Sequence, residues 1–167
     1  MSNDTRPSLP PFPSGYRGSG LLLHVTSLPT PYGIGDVGPA AIAWIDQLSD
    51  AGQSWWQALP LGPTGYGNSP YQALSSFAGN GLLVSPDWLI EDGLLTRDDC
   101  AAPLSSPFAV DYNAIIPFKH HLLEKAWINF TKTGSKELRV AFEKFCHEQA
   151  HWLEDYVLFR ALKAIRN

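Results

Sequence analysis

The chain has 167 residues, of which 44% are hydrophobic, and this composition predicts one soluble domain with a hydrophobic core while excluding a disordered or collagen-like chain. Its 12 Lys and Arg against 16 Asp and Glu give a formal net charge of −4, which excludes a basic nucleic-acid surface and favours a neutral or small-molecule ligand. Two cysteines are too few for a disulfide framework, and because neither a signal peptide nor an apolar run of about 20 residues is present, we expect a cytoplasmic protein without a membrane span.

Composition changes along the chain at Pro117. All 14 prolines and 13 of the 14 glycines lie at or before that residue. Since proline and glycine interrupt helices and strands, the first part predicts strands joined by long loops, and the second part predicts helices. The proline-rich residues 1–18 predict a flexible arm.

The first regular elements are predicted from two apolar runs with a helical pattern between them. Residues 19–25 include three consecutive leucines and predict a strand buried on both faces, as in a parallel sheet. A helix follows, with Asp36 as its N-cap and Gly52 just after its end. Its apolar positions are Ile42, Ile45 and Leu48. Residues 54–61 predict a second strand, so the segment forms one βαβ unit, whose crossover should be right-handed.

Residues 62–72 predict a loop at the carboxyl end of the second strand, because three glycines and two prolines fall within nine residues. Ligands of α/β proteins bind at that end. The loop lacks the lysine and the spacing of phosphate-binding motifs. A sugar fits better, since its C–H face stacks on aromatic rings and its hydroxyls bind small polar groups. The candidate residues are Tyr66, Asn68, Ser69, Tyr71 and Gln72. The alternative is that the tyrosines pack the loop onto the sheet.

Beyond this loop, short apolar and helical patterns follow one another. Residues 82–84 form a short apolar run, and residues 86–95 predict a short helix. Two longer helices are predicted over 114–131 and from 136 to about 166, separated by a break at Gly134. The last helix has an apolar stripe whose spacing is typical of core. The stripe consists of Leu138, Phe142, Phe145, Trp152, Tyr156 and Phe159.

One short motif matches a zinc site. Residues His147, Glu148 and His151 form H-E-x-x-H, in which two imidazoles one turn apart bind zinc and the glutamate is a base. A third protein ligand is still required, and because the metzincin extension is absent, only Glu154, Asp155 or residues from elsewhere could supply it. Both histidines also lie off the apolar stripe, so a solvated helix face is favoured over a zinc hydrolase. His24, at a strand end, is either a functional imidazole or, as the residues favour, a hydrogen-bonded residue near the core.

Several segments together carry a resemblance to a known family. They are residues 19–29, 32–36, 56–67, 69–72, 77–80, 152–156 and 158–163. These segments resemble the N-terminal region of the 4-α-glucanotransferases, or amylomaltases. The resemblance implies an α/β fold, namely an N-terminal fragment of a TIM (β/α)8 barrel. Residues 19–85 would supply the first barrel strands, a helix and a glucan-binding loop, and residues 86–167 a mostly helical inserted subdomain, with the remainder of the barrel absent.

The resemblance also implies an activity. The family transfers α-1,4-glucan segments by retaining double displacement and needs no cofactor or catalytic metal, so the expected partners are maltooligosaccharides, amylose and glycogen-derived dextrins. Its aspartate nucleophile, glutamate acid/base and second aspartate come from later barrel strands. None of the three has a position in this chain, so we expect the isolated chain to be inactive. The competing hypothesis is a stand-alone, non-catalytic glucan-binding module.

Individual loop residues take roles by the same resemblance. Tyr71 resembles the tyrosine that lines the donor sugar site, with Ser69 near it, and Tyr66 resembles a tyrosine of a second glucan-binding surface. Two positions depart from the family pattern, since Asn68 stands where aspartate is usual and Gly81 where proline is common. The first departure puts a charge-dependent role of that position in doubt.

Overall fold

The structure is a computed structural model that describes residues 15–101 and 109–166. The arm predicted over residues 1–18 lies outside the described residues as far as residue 14. Regular elements follow in the order β1 (Gly20–Leu22), α1 (Pro39–Asp50), β2 (Trp55–Gln57), α2 (Pro86–Glu91), α3 (Tyr112–Thr133) and α4 (Lys136–Arg166). Short 3-10 turns occur at Val25–Ser27, Tyr66–Asn68, Gly81–Leu83 and Asp98–Cys100.

Strands β1 and β2 form a two-stranded parallel sheet, as predicted. Leu21 lies opposite Trp56 in the register, and the Trp56 indole N–H donates to the Leu23 carbonyl at 2.7 Å. The prediction that this leucine run is buried on both faces is wrong for the described chain, because Leu21 is 47% and Leu22 60% exposed. A parallel strand is covered only when strands and helices flank it on both sides, and among the described residues β1 has a single neighbouring strand.

Helix α1 connects the two strands. Its N-cap is Gly38, followed by Pro39 at the first helical position, which proline favours because its fixed φ suits a helix start. The prediction of Asp36 as N-cap is therefore wrong, since the Asp36 carboxylate is buried against α3 instead. Gly52 follows the helix end with a φ of +70°, as predicted. On the helix itself, Leu48 is buried, whereas the other predicted apolar positions, Ile42 and Ile45, are exposed.

Helix α3 organises the core. It begins at the Asp111 cap, whose carboxylate accepts from the Asn113 amide at 3.1 Å and the Ala114 amide at 3.3 Å. Its buried face packs against residues in and around the turns Gly81–Leu83 and Asp98–Cys100, and against the segment between β1 and α1. One cluster consists of Tyr32, Leu94, Leu95, Cys100, Leu122 and Ala126, and another of Ile34, Leu82 and Ile115. A third cluster, of Val25, Leu28, Ala41 and Leu83, lies under α1.

Helices α3 and α4 meet at the predicted break, Gly134. The guanidinium of Arg139 donates at 3.0 Å to the carbonyls of Phe130, Thr131 and Gly134. It thereby caps the carboxyl end of α3, where the last carbonyls lack intrahelical partners, and adds to the bond that the Phe130 carbonyl accepts from the Gly134 amide. Near this junction the rings of Trp127, Phe130 and Phe142 pack together.

The prediction that the α4 stripe is core is wrong for the described chain, because no described residue of α4 is buried. Helix α4 has 31 residues and α3 has 22, so at 1.5 Å rise per residue α4 is longer by about 14 Å and extends past its partner. Three of the stripe's rings, Phe142, Phe145 and Phe159, are exposed.

Asp99 is expected to contribute to stability in a pH-dependent way. It accepts from the Thr96 amide at 2.8 Å and from the Lys125 ammonium, and chiefly through Lys125 its pKa falls from 3.8 to about 2. A lowered folded-state pKa stabilises the fold above the unfolded-state pKa, and this contribution is lost as pH falls through the folded-state pKa. Replacing Asp99 by Asn should therefore lower the urea midpoint at pH 6, and this deficit should shrink as pH is lowered from 6 to 2. Replacing the exposed neighbour Asp98 by Asn is the control, and an Asp99→Asn deficit as large at pH 2 as at pH 6 would contradict the assignment.

Candidate functional site

The candidate site is the loop over residues 62–80, which leaves the carboxyl end of β2. Its two arms are tied together by an isolated antiparallel bridge between Thr64 and Ala73. Beside that bridge, the Gly65 amide donates to the Gln72 carbonyl at 2.9 Å, and the Leu74 amide donates to the Pro63 carbonyl at 2.8 Å. A Cβ atom at Gly65 would lie 2.9 Å from the Gln72 carbonyl, so glycine allows this close approach. The loop is irregular, as predicted, but its backbone is braced.

The tip of the loop turns at two residues with positive φ. Gly67 has φ +68° and Asn68 has φ +55°, a left-handed conformation that glycine and asparagine adopt more readily than other residues. Further along, the Gln72 amide donates to the Ser69 carbonyl at 3.2 Å. The backbone alone thus accounts for a small polar residue at position 68.

This backbone exposes both candidate tyrosines. Tyr66 is 92% and Tyr71 73% exposed, so neither ring is packed under the loop against the sheet. Gln72 is exposed as well, whereas Asn68 and Ser69 are half-buried. The five candidate residues therefore share one lobe of the loop, closed by the bridge at its base, and the two rings are free to contact a ligand.

The second half of the loop is held by side-chain caps. The Ser75 hydroxyl accepts from the Phe77 amide at 3.1 Å and the Ala78 amide at 3.0 Å. Asn80 donates its amide to the Leu61 carbonyl at 2.8 Å, and its side-chain oxygen accepts from the Leu82 amide at 3.0 Å. Asn80 therefore ties the end of the loop to Leu61, which follows β2 and directly precedes the loop.

A cleft of about 720 Å³ lies between the loop, α3 and α4. Asn68 is the one candidate residue among those lining it. Helix α3 contributes His120, and α4 contributes Tyr156, Arg160 and Lys163. The cleft thus lies between part of the loop on one side and helices α3 and α4 on the other.

A buried ion pair joins the segment between β1 and α1 to helix α3. The Lys119 ammonium lies 3.7 Å from the Asp36 carboxylate, with the two side chains 2% and 1% exposed, and it donates to the Val84 carbonyl at 2.7 Å. Burial raises the pKa of Asp36 and lowers that of Lys119, and each opposite charge counteracts the effect of burial on the other. The sequence reasoning missed this pair, although a lysine among the apolar helix positions Ile115 and Leu122 is a signal that could have indicated it.

A second polar contact lies beside the pair. The Tyr32 hydroxyl donates to the Asp87 carboxylate at 2.7 Å. Burial, followed by this hydrogen bond, raises the pKa of Tyr32. Both polar contacts join the segment between β1 and α1 to residues that follow the loop in the chain.

Of the histidines considered from the sequence, His24 follows β1, and His147 and His151 lie on α4. His24 is half-buried and its Nδ1 is buried without a hydrogen-bond partner, so the expected hydrogen bond is not made through that atom; burial lowers its pKa. His147 and His151 are exposed on α4. Within residues 15–101 and 109–166, no group of three or more His, Cys, Asp or Glu could hold a metal ion.

The fold and the loop define the class of protein. A parallel strand, helix and strand followed by a ligand-accessible loop at the carboxyl end of the sheet is the arrangement of α/β proteins that bind ligands at that edge. In the part of the chain that the structure describes, no helix is both long and apolar enough to cross a membrane.

Comparisons with known proteins identify the family. The family described as 4-alpha-glucanotransferase matches residues 23–167. The 4-alpha-glucanotransferase of Synechocystis is 47% identical over 153 residues, which cover 90% of this chain and 30% of the relative. That of Thermus thermophilus is 47% identical over 147 residues, covering 88% and 29%. The chain therefore belongs to the 4-alpha-glucanotransferase family, as its motifs predicted.

A more distant relative and a solved structure agree. The chloroplastic/amyloplastic 4-alpha-glucanotransferase of Solanum tuberosum is 41% identical over 156 residues, covering 90% of this chain and 27% of the relative. The structure of amylomaltase from Streptococcus agalactiae in complex with acarbose matches with a TM-score of 0.82 and 38% identity, covering 89% of this chain and 30% of that one. The chain thus spans less than a third of the length of these relatives.

Proposed function

We propose that this chain contributes to an enzyme that transfers α-1,4-glucan segments between maltooligosaccharides by retaining double displacement. The observation that carries the proposal is that the Tyr71 ring is 73% exposed, on a loop that is braced by backbone hydrogen bonds and lies at the carboxyl end of β2. The names of the relatives support it, as does the acarbose held by the Streptococcus agalactiae amylomaltase. The alternatives weighed from the sequence, a stand-alone glucan-binding module and a zinc hydrolase, have less support.

In this proposal, residues 19–85 are the first strands and helix of a TIM barrel with its glucan loop, and residues 86–167 are an inserted helical subdomain. The parallel sheet of the βαβ unit supports the first assignment, and the length of α3 and α4 supports the second. A cytoplasmic location stays a prediction, since the potato relative carries the name of a chloroplastic/amyloplastic enzyme.

Tyr71 would act by holding a sugar in place. An aromatic ring packs against the C–H face of a pyranose, and its exposed hydroxyl can hydrogen-bond the rim of the sugar. Such contacts orient the reacting carbon, and orientation lowers the barrier of the chemical step. Ser69 would lie beside the same sugar, while Gln72 would offer an amide at its edge. Tyr66, at the tip of the loop, would bind a more distant part of a long glucan.

The proposal is tested in a chimera, defined as the Thermus thermophilus relative with its matching stretch replaced by this chain. Replacing Tyr71 by Ala should lower kcat/KM for maltotriose about tenfold to a hundredfold, because a stacking contact and the orientation it provides are both lost. Replacing Tyr71 by Phe keeps the ring and should retain most of the activity. Kinetics and melting temperatures are measured together. Wild-type turnover by a folded Tyr71→Ala chimera would contradict the role of this ring.

A contrasting result is expected at the tip of the loop. Replacing Tyr66 by Ala should raise KM for amylose several-fold and leave maltotriose turnover nearly unchanged, because a short substrate does not reach a separate binding surface. The measurement is the ratio of kcat/KM on amylose to that on maltotriose in the same chimera. Equal losses on both substrates would place Tyr66 in the donor site instead.

A further inference from the structure

The loop contacts helix α4 through one aromatic stack. The Phe77 ring lies parallel to the indole of Trp152, with 5.8 Å between ring centroids and 13° between planes. The imidazole of His151 approaches the same Phe77 ring edge-on at 6.0 Å and 84°. Stacked and edge-on rings at such distances attract each other. This stack joins an irregular loop to a long helix that follows it much later in the chain.

Each half of the stack is itself fixed. On the loop, the Ser75 hydroxyl accepts from the Phe77 amide and the next amide, which sets the backbone from which the ring projects. On α4, the Trp152 indole N–H donates to the Gln149 side-chain oxygen at 2.8 Å. The Trp152 ring also packs against Phe145 at 6.5 Å and Tyr156 at 6.2 Å. The indole therefore presents a fixed platform to Phe77.

Away from the stack, residues of the loop and of α4 line the 720 Å³ cleft. Phe77 is 65% exposed, so the stack is not part of a continuous core that would hold the loop in any case. The loop lobe with Tyr71 is braced internally by the Gly65 and Leu74 hydrogen bonds, and such a braced lobe moves as one piece. A restraint at Phe77 therefore acts on the orientation of the whole lobe.

We propose that the Phe77–Trp152 stack is a positioning pair, which fixes the loop lobe against α4 and thereby sets where the Tyr71 ring meets the sugar. The inference rests on the proposed function in assigning that sugar contact to Tyr71. Neither Phe77 nor Trp152 touches substrate in this scheme. Their effect reaches the reaction through Tyr71, and a misplaced ring orients the sugar less well.

The first test measures the loop itself by amide hydrogen exchange on the 167-residue chain. Replacing Phe77 by Ala should speed exchange severalfold at the amides that brace the loop, Gly65, Leu74 and Asn80, and leave α3 unchanged. Phe77→Tyr keeps a stacking ring and should restore slow exchange. Phe159→Ala removes another exposed ring from α4 and is the matched control. Unchanged exchange in the Phe77→Ala loop would overturn the proposal.

The second test is a double-mutant cycle in the chimera. Replacing Phe77 by Ala should lower kcat/KM for maltotriose about 2- to 12-fold, the range of one aromatic pair, mainly through kcat and with little change in melting temperature. Trp152→Leu should have the same effect. In the Tyr71→Ala background, removing Phe77 should cost nothing further. An equal loss in both backgrounds would show that Phe77 acts independently of Tyr71 and overturn the positioning role.

The two tests separate the stack from the proposed function. If Tyr71→Ala alone retains wild-type turnover, the donor-site role fails, and the kinetic half of the inference fails with it. Faster loop exchange in Phe77→Ala would still show that the stack fixes the loop. If Tyr71→Ala loses activity while Phe77→Ala changes neither exchange nor kcat, the proposed function stands and the positioning pair is refuted.

Discussion

The 167-residue chain by itself is expected to release no glucose from maltotriose. Retaining transfer needs two carboxyl groups about 5 to 5.5 Å apart across the scissile bond. Residues 62–80, the loop at the carboxyl end of β2, include no Asp or Glu. Without such a pair beside Tyr71, a sugar bound there meets neither a nucleophile nor a general acid.

The acidic residues that the sequence clusters elsewhere are unsuitable for this chemistry. Asp98 and Asp99 lie in a 3-10 turn, and Asp99 is engaged by Lys125. Glu154 and Asp155 are adjacent on α4 and exposed. Consecutive helix positions face different directions, so the latter two cannot flank a sugar as a catalytic pair does.

The measurement is glucose release from maltotriose by the purified chain, with the chimera as the positive control at equal concentration. Activity in the chimera and none in the chain would locate the catalytic carboxylates in the part of the chimera that comes from the Thermus thermophilus relative. Preparations purified by two independent routes exclude a contaminating host enzyme. Sustained glucose release by both preparations would contradict the prediction and require a carboxylate pair within these residues.

Local signals predicted the elements of the fold well. The Gly134 break, the end of α1 at Gly52 and the start of α2 at Pro86 were each read from one or two residues. These residues act through their own backbone. Gly52 adopts a positive φ, Gly134 allows a close approach to the Phe130 carbonyl that a Cβ would obstruct, and Pro86 has a φ fixed in the helical range. The start of α1 was missed because Asp36, an ordinary capping residue, has its carboxylate held by a lysine far along the chain.

Burial was predicted less well, and for a physical reason. Leu22 of β1 and Phe145 of α4 have the pattern of core residues and are exposed in the described chain. An apolar pattern records that a residue is suited to burial, but it does not say which element covers it. With two strands in the described sheet and an α4 longer than α3, the covering elements are absent from the described part of the chain.

The candidate site was predictable in part. Glycine and proline content placed the loop, and its position after an apolar run placed it at the binding edge of a parallel sheet. The contact between Phe77 and Trp152 could not be predicted from the sequence, because nothing in either segment indicates that the two rings meet. The same holds for the buried pair of Lys119 and Asp36, in which each charge is explained only by the other.

Replacing Lys119 by Met is expected to destabilise the fold by about 3 to 5 kcal/mol, since removing one partner of a buried ion pair leaves the other charge buried without compensation. The Asp36 carboxylate is 1% exposed, and the methionine fills much of the lysine's volume, so the loss of charge dominates. The Val84 carbonyl also loses its 2.7 Å donor. The effect is measured as the change in the free energy of unfolding, obtained from urea unfolding curves of the chimera at pH 7.

The pH dependence of that variant distinguishes charge from packing. Burial already raises the pKa of Asp36, and the positive charge of Lys119 opposes that rise. In the Lys119→Met variant this opposing charge is lost, so the pKa of Asp36 should rise further. A group with a raised folded-state pKa favours the fold when protonated, and this contribution is lost as pH rises through that pKa. The deficit of the Lys119→Met chimera should therefore shrink as pH is lowered from 7 towards 4, where a packing defect would keep a constant deficit.

Two further variants complete the argument. Adding Asp36→Asn to Lys119→Met removes both charges, so the double variant should recover part of the lost stability at pH 7, with a coupling energy of about 0.5 to 3 kcal/mol between the two positions. Lys144→Met is the matched control, because Lys144 faces Glu148 at 3.8 Å with both side chains exposed, and an exposed helical pair contributes about 0.3 to 0.5 kcal/mol. If Lys119→Met cost no more than Lys144→Met, the buried pair would be dispensable. The segment between β1 and α1 would then be held to α3 by apolar contacts such as that of Ile34 with Ile115.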